Sequence, residues 1–334
     1  MRTSVFLFLT VLLIQACGAQ TDPEPITPSK VYPEGMSTHL YAVKKGDSLE
    51  LDLYRPESTE LLPTVIFVHG GGFYAGKRQE KNIEHFCDSL RDCGFAVANI
   101  SYHLYLKGQS FHCDQPADNK VNAFASAAED LKNATRFLID HSDSLGIDTT
   151  SIYIAGSSAG AETVLHAAYW PYDYRIPKGA SLDKDFRYKG VIAFAGAMVD
   201  DMLIQPENVV PTLLYHGTCD PLVPYVEAAH HYCPGNTVGA LHLHGSKSIY
   251  DRISSIGGTT QLVSVCGAQH SIASKPIEQD IAQIVQFLRR VEAGESFQEM
   301  EVRRQGTDCK LGDFPECREN LELRIQNGKL KMKN

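Results

Sequence analysis

Residues 154–162 read Ile-Ala-Gly-Ser-Ser-Ala-Gly-Ala-Glu. The fold turns on which of the two serines stands at the apex of this stretch. It follows a short apolar run, Ile152–Ala155, and opens into Ala161–Ala168, a segment of helical composition. A strand that turns sharply into a helix leaves room only for small side chains around its apex. Centred on Ser158, the required positions hold Gly156, Ala159 and Gly160; centred on Ser157, the outer positions would hold Ala155 and Ala159. Gly-x-Ser-x-Gly is therefore met by Ser158 alone. A glycine-bearing helix start capped by serine would give the same letters. The strand–turn–helix setting is what makes Ser158 a candidate nucleophile.

Outward from this turn, continuous apolar runs recur at Thr64–Val68, Phe95–Ile100, Ser151–Ala155, Val191–Ala195, Thr212–Tyr215 and Leu262–Val265. Such runs fit strands covered on both faces. Between them, Glu80–Cys93, Ala123–Asp140 and Pro276–Glu292 carry apolar residues at helical spacing. Two alternating runs, His39–Val43 and Leu49–Tyr54, flank Lys45-Gly46-Asp47 and read as an edge hairpin. Strands alternating with helices predict an α/β fold with a mostly parallel sheet of about eight strands and helices on both faces. The interval 197–211 is too short for a large cap domain.

Three further motifs follow strands. His69-Gly70-Gly71-Gly72-Phe73 comes directly after Thr64–Val68. Its glycines let backbone approach a ligand closely and turn amides toward developing negative charge. Asp220, in His216-Gly217-Thr218-Cys219-Asp220-Pro221, falls just past Thr212–Tyr215, where open α/β sheets place their sites. Asp200 and Asp201 are rival acids, ranked lower because Met198 and Val199 separate them from the preceding strand. His270, in Gly267-Ala268-Gln269-His270, follows the run 262–265. A serine hydroxyl needs an adjacent base to attack at neutral pH, and the base needs an orienting acid. The chain order Ser158, Asp220, His270 supplies all three in the order used by α/β-hydrolases.

These four motifs, spread over residues 37–292, resemble the α/β-hydrolase fold and, within it, serine esterases with a His-Gly-Gly-Gly-Phe/Trp loop. That group includes hormone-sensitive-lipase-like esterases and exported carboxylesterases related to acetyl- and feruloyl-esterases. The resemblance implies ester hydrolysis through an acyl-enzyme, with catalytic Ser158, Asp220 and His270. It implies an oxyanion hole formed by the amides of Gly71, Gly72 and Ala159. Lipase or serine peptidase activity, and a catalytically silent binding role, are the alternatives. The chain departs from lipase-like relatives at Ser157, where they usually carry an acid, and its 216–224 segment is closer to dienelactone-hydrolase-type enzymes.

Composition bounds the rest. The 334 residues carry a net charge of −9, which gives no electrostatic reason to hold nucleic acid. The expected partner is a small-molecule or carbohydrate-linked ester. No cofactor and no metal are implied: His242-Leu243-His244 has a metal-like spacing but lacks an evident third ligand. Arg2, the apolar run 5–14 and the small residues 16–19 read as a signal peptide over 1–19, and the run before Cys17 also fits a lipobox with a lipid anchor there. Either places the mature protein outside the cytoplasm: secreted, periplasmic or lipid-anchored. No membrane span is expected. Residues 20–36 read as a linker, 37–295 as the catalytic domain and 296–334 as a polar tail with two cysteines.

Nine cysteines, eight without Cys17, suggest disulfides in an exported protein, and eight allow about 105 pairings. Cys87 and Cys93 are too far apart on one helix to pair. Cys309 and Cys317 could join each other, and Cys219 with Cys266 could pin the acid and base loops together. Trp170, Tyr172 and Tyr174 are candidates to line a substrate entrance, and Tyr102 to face the site or cap the sheet.

Overall fold

A continuous apolar run has no face to offer water, so it packs between two layers. In the computed structural model, which describes residues 31–170, 182–306, 309, 311, 312, 314–317, 323–326 and 329–332, every such run lies in one sheet. The expected signal peptide with Cys17, most of the linker, and Tyr172 and Tyr174 lie outside the described residues.

The strands are β1 (Gly35–Lys44), β2 (Asp47–Arg55), β3 (Leu62–Val68), β4 (Ala96–Ile100), β5 (Ile147–Ser157), β6 (Gly190–Phe194), β7 (Ala197–Met198), β8 (Thr212–Gly217), β9 (Glu227–Ala229), β10 (His242–Gly245), β11 (Thr260–Cys266), β12 (Gln298–Arg304), β13 (Leu323–Gln326) and β14 (Lys329–Met332). The helices are α1 (Lys81–Asp92), α2 (Ala117–Asp140), α3 (Ser142–Leu145), α4 (Ala159–Tyr169), α5 (Ser246–Ser255), α6 (Lys275–Gln279) and α7 (Ile281–Glu292). The main sheet runs β1-β2-β4-β3-β5-β6-β8-β11-β12-β13-β14, and β7-β10-β9 form a small second sheet. Pairing is parallel from β4 through β12 and antiparallel at both ends.

Alternation along the central strands fills both layers. On β3, Ile66 and Val68 join a core with Leu131 of α2 and Val164 of α4. Val65 and Phe67 turn the other way, toward Phe86 and Leu90 of α1 and Leu288 of α7. All of these side chains are fully buried. Each contributes about 1.5–3 kcal/mol of transfer free energy.

Among the described residues the sheet has eleven strands where eight were expected. The extra ones come from the segment read as a polar tail. β12 pairs with β11 along its whole length, from Thr260↔Gln298 to Cys266↔Arg304, so the sheet continues beyond residue 295. Its sequence, Gln-Glu-Met-Glu-Val-Arg-Arg, buries only Met300 and Val302. A strand with charged residues on one side does not give the continuous apolar run that marked the central strands. The predicted last helix is also two, α6 and α7, broken at Asp280, whose backbone (φ −117, ψ 24) is not helical.

Candidate active site

β5 delivers its final residue, Ser157, into a turn whose apex is Ser158, and α4 begins one residue later. Ser158 has φ 52 and ψ −120, a conformation L-residues rarely adopt, which costs about 1–3 kcal/mol. Its amide donates to Phe194 O of β6 at 2.8 Å. The neighbouring glycines are steric requirements: a Cβ on Gly156 would strike the Gly160 carbonyl, and one on Gly160 would strike the Val68 carbonyl.

Ser158, His270 and Asp220 come together although they are 112 and 50 residues apart in sequence. The Ser158 hydroxyl is 2.8 Å from His270 Nε2, and His270 Nδ1 donates to Asp220 Oδ2 at 2.6 Å. Asp220 Oδ1 accepts from the amides of Leu222 and Val223 at 2.9 and 3.0 Å. His216, fully buried, faces Asp220 Oδ2 from 3.5 Å. Burial alone would raise the Asp220 carboxyl, but its bonds to His216 and His270 outweigh that and hold it well below the usual carboxylate range. Asp220 is thus a fixed anion, oriented to hold His270 in one tautomer. The acid and base loops are stitched to each other: Cys219 N donates to Ala268 O at 2.9 Å and Gly267 N to Thr218 Oγ1 at 3.1 Å. The rival acids lie elsewhere. Asp201 faces His244 at 3.3 Å, and Asp200 accepts from Met202 N at 2.8 Å. Asp200, Asp201 and His244 bring ligand-type atoms within 4.8 Å of one another.

The glycine loop lies beside the nucleophile. A Cβ on Gly70 would stand 3.3 Å from that of Ser158. Gly71 and Gly72 have φ of +118 and +60, which only glycine adopts without strain. Their amides carry no hydrogen bond among the described residues. Ala159 is the first residue of α4, where a helix leaves its amides unpaired. His69 donates from Nδ1 to Gly70 O at 2.7 Å and stacks on Tyr102 with ring centres 4.5 Å apart. Tyr102 donates its hydroxyl to His69 O at 3.2 Å, so it braces the loop from beneath rather than capping the sheet. Ser157 does not face the reacting atoms in the same way. Its hydroxyl donates to Ala273 O at 2.5 Å and ties the elbow to the helical turn that carries His270.

Ser158, His270 and the glycine loop open onto a pocket of about 450 Å³. Its far wall holds Phe111, Glu162, His230 and His231. Neither Glu162 nor His230 falls within the four motifs that mark the site in the sequence. Glu162, at four residues past Ser158 on a helix, was the accessible signal.

Cysteine pairing corrects two expectations. Cys219 joins Cys309 and Cys266 joins Cys317, so neither Cys219–Cys266 nor Cys309–Cys317 forms. β8 and β11 are neighbours, but Val265 pairs with Gly217. Cys266 therefore comes opposite Thr218, and Cys219 is one residue out of register on the alternating backbone. Cys113 joins Cys233, while Cys87 and Cys93 are free.

The sheet and its flanking helices have the architecture of the α/β-hydrolase fold. A family model described as BD-FAE matches residues 51–202. Gut esterase 1 of Caenorhabditis elegans is 29% identical over 160 residues, 45% of this chain and 27% of that protein. An ethyl acetate hydrolase of Pseudomonas putida is 25% identical over 132 residues, 38% of this chain and 36% of that protein. The chain thus spans only 27% of the length of the nematode relative. Among solved structures, the apo form of Thermogutta terrifontis esterase 2 superposes with a TM-score of 0.56 at 17% identity, covering 81% of this chain and 97% of that one. That esterase is also known with butyrate bound. The chain has the α/β-hydrolase fold and is similar in sequence to esterases over part of its length. No helix among the described residues is long and apolar enough to cross a membrane.

Proposed function

We propose that this protein is an exported serine carboxylic-ester hydrolase acting on short-chain or carbohydrate-linked esters. The observation that carries the reading is the hydrogen-bonded series Ser158–His270–Asp220, with Ser158 held at φ 52 beside the amides of Gly71 and Gly72, which have no hydrogen-bond partner among the described residues. His270 takes the proton from the Ser158 hydroxyl as Oγ attacks the ester carbonyl. Asp220 stabilises the imidazolium so formed. The amides of Gly71, Gly72 and Ala159 receive the oxyanion; one such donor is worth about 3 kcal/mol. His270 then protonates the departing alcohol, and water, activated by the same imidazole, releases the acid from Ser158. The esterase relatives and the butyrate-bound neighbour favour short acyl chains. The leader-like residues 1–19 and the three disulfides among the described residues favour export.

The test is hydrolysis of p-nitrophenyl acetate, butyrate and a long-chain ester by the mature protein and by Ser158→Ala and Ser157→Ala. Short esters should be cleaved, and only Ser158→Ala should abolish turnover. Activity persisting in Ser158→Ala would remove the assignment; preference for the long chain would make the protein a lipase.

A further inference from the structure

Glu162 lies one helical turn beyond Ser158, so the two side chains share a face of α4. It is 1% exposed, it lines the same pocket, and its Oε1 has no hydrogen-bond partner among the described residues. His230 meets it from the segment after β9. It is fully buried, and neither ring nitrogen has a hydrogen-bond partner among the described residues. His230 Nε2 and Glu162 Oε1 stand 3.5 Å apart without forming a hydrogen bond.

Buried polar side-chain atoms are nearly always paired. Three orphans on one wall of a pocket therefore point to a group that visits. Nearby polar groups are committed elsewhere. Lys120 Nζ donates to Gly239 O at 2.9 Å, and His166 Nδ1 donates to the Glu162 main-chain carbonyl at 2.7 Å. On the same wall, Phe111 packs edge-on to His230 at 4.7 Å, and His231 is hydrogen-bonded to His112 at 2.9 Å.

Burial pushes the Glu162 carboxyl well above the carboxylate range and the His230 imidazole well below its usual value. Burial thus favours the neutral form of each, a carboxylic acid and an imidazole, which both offer a donor and an acceptor. A cation would find no anion there, and an anion would meet a carboxyl group. A hydroxyl, which donates one bond and accepts others, matches the set.

We propose that Glu162 and His230 form a hydroxyl-recognising wall of the ester pocket, selecting substrates that carry a hydroxyl a few bonds from the scissile ester. This rests on the ester-hydrolase reading above. A site built to hydrogen-bond a hydroxyl discriminates strongly against the analogue that lacks it, because its own buried groups are then left unpaired.

Two matched pairs test it, each replacing one hydroxyl by methyl. p-Nitrophenyl 3-hydroxybutyrate against 3-methylbutyrate places the hydroxyl on the acyl side. 2-Hydroxyethyl butyrate against propyl butyrate places it on the alcohol side. The native protein should favour the hydroxyl member of one pair by about tenfold or more in kcat/KM. Glu162→Leu and His230→Phe should each reduce that ratio to about twofold or less, whereas Glu162→Gln, which keeps a donor and an acceptor, should retain most of it. A native protein with no preference in either pair overturns the proposal whatever the variants do, as does a preference surviving both apolar substitutions. If the native protein cleaves no ester at all, it is the ester-hydrolase reading that fails.

Discussion

At the scale of single residues, the site is built on conformations that few side chains tolerate. Ser158 holds φ 52 because β5, β6 and the glycines around it leave the backbone no other course. Asp220 is fully buried and ionised, held by two amides and two imidazoles. Asp220→Asn keeps the size but removes the charge that fixes the His270 tautomer, so kcat for a short ester should fall by about 10³–10⁴-fold with little change in KM. A loss below about tenfold would mean that another acid orients the imidazole. The meeting of these residues was legible because tight turns dictate residue type: Gly156 and Gly160 are forced by steric collisions that any homologous turn would share. The wall formed by Glu162 and His230 was not legible. One reads as an ordinary helix residue and the other as a loop residue, and only the packing of α4 against the segment after β9 brings them together.

At the scale of elements, the segment after residue 295 is tied to the candidate site. β12 completes the parallel sheet beside β11, and Cys309 and Cys317 clamp the two loops that carry Asp220 and His270. Cys219 directly precedes the acid, and Cys266 lies four residues before the base. Each crosslink closes a long loop, 90 and 51 residues in separation, and such crosslinks typically stabilise by about 2–4 kcal/mol. The double variant Cys266→Ser/Cys317→Ser should therefore lose about that much in urea unfolding. It should also lose kcat more than KM, because the base loop is loosened while the pocket wall is kept. Equal kcat in variant and parent would show that the loop is held by β11 and its hydrogen bonds alone. Cysteine count and spacing could not give these pairings. They depend on a strand whose alternating polar pattern hid its place in the sheet, and on a one-residue offset between β8 and β11.

Across the whole molecule, the three disulfides among the described residues each tie a segment that carries a residue of the site or of the pocket. Cys113–Cys233 joins the segment carrying Phe111 to the one carrying His230. The pocket is thus framed by crosslinks and backed by histidines that burial keeps neutral. His69, braced under the glycine loop, is lowered to about 4 by burial, against a favourable bond to Gly70 O. His166, stacked on Phe124 and accepting from Val199 N at 3.1 Å, is lowered to about 3 by burial. The unfolded chain binds these protons near pH 6.5, well before the folded protein does. Their contribution is complete above pH 6.5 and is lost as the pH falls toward 4 and then 3, at up to about 1.4 kcal/mol per pH unit for each group. The depressed Asp220 carboxyl acts later, since its contribution is complete above the unfolded value near 3.9 and fades only below it. The urea midpoint should accordingly fall between pH 6.5 and 4.5, with the raised Glu162 carboxyl, which gains stability as the pH falls, offsetting part of the histidine slope. His166→Phe should flatten that slope even if it lowers the midpoint at pH 7, because it removes one proton from the linkage. A midpoint constant across the window, or a slope unchanged by His166→Phe, would mean that these imidazoles meet water in the folded state and that the wall behind the pocket is open.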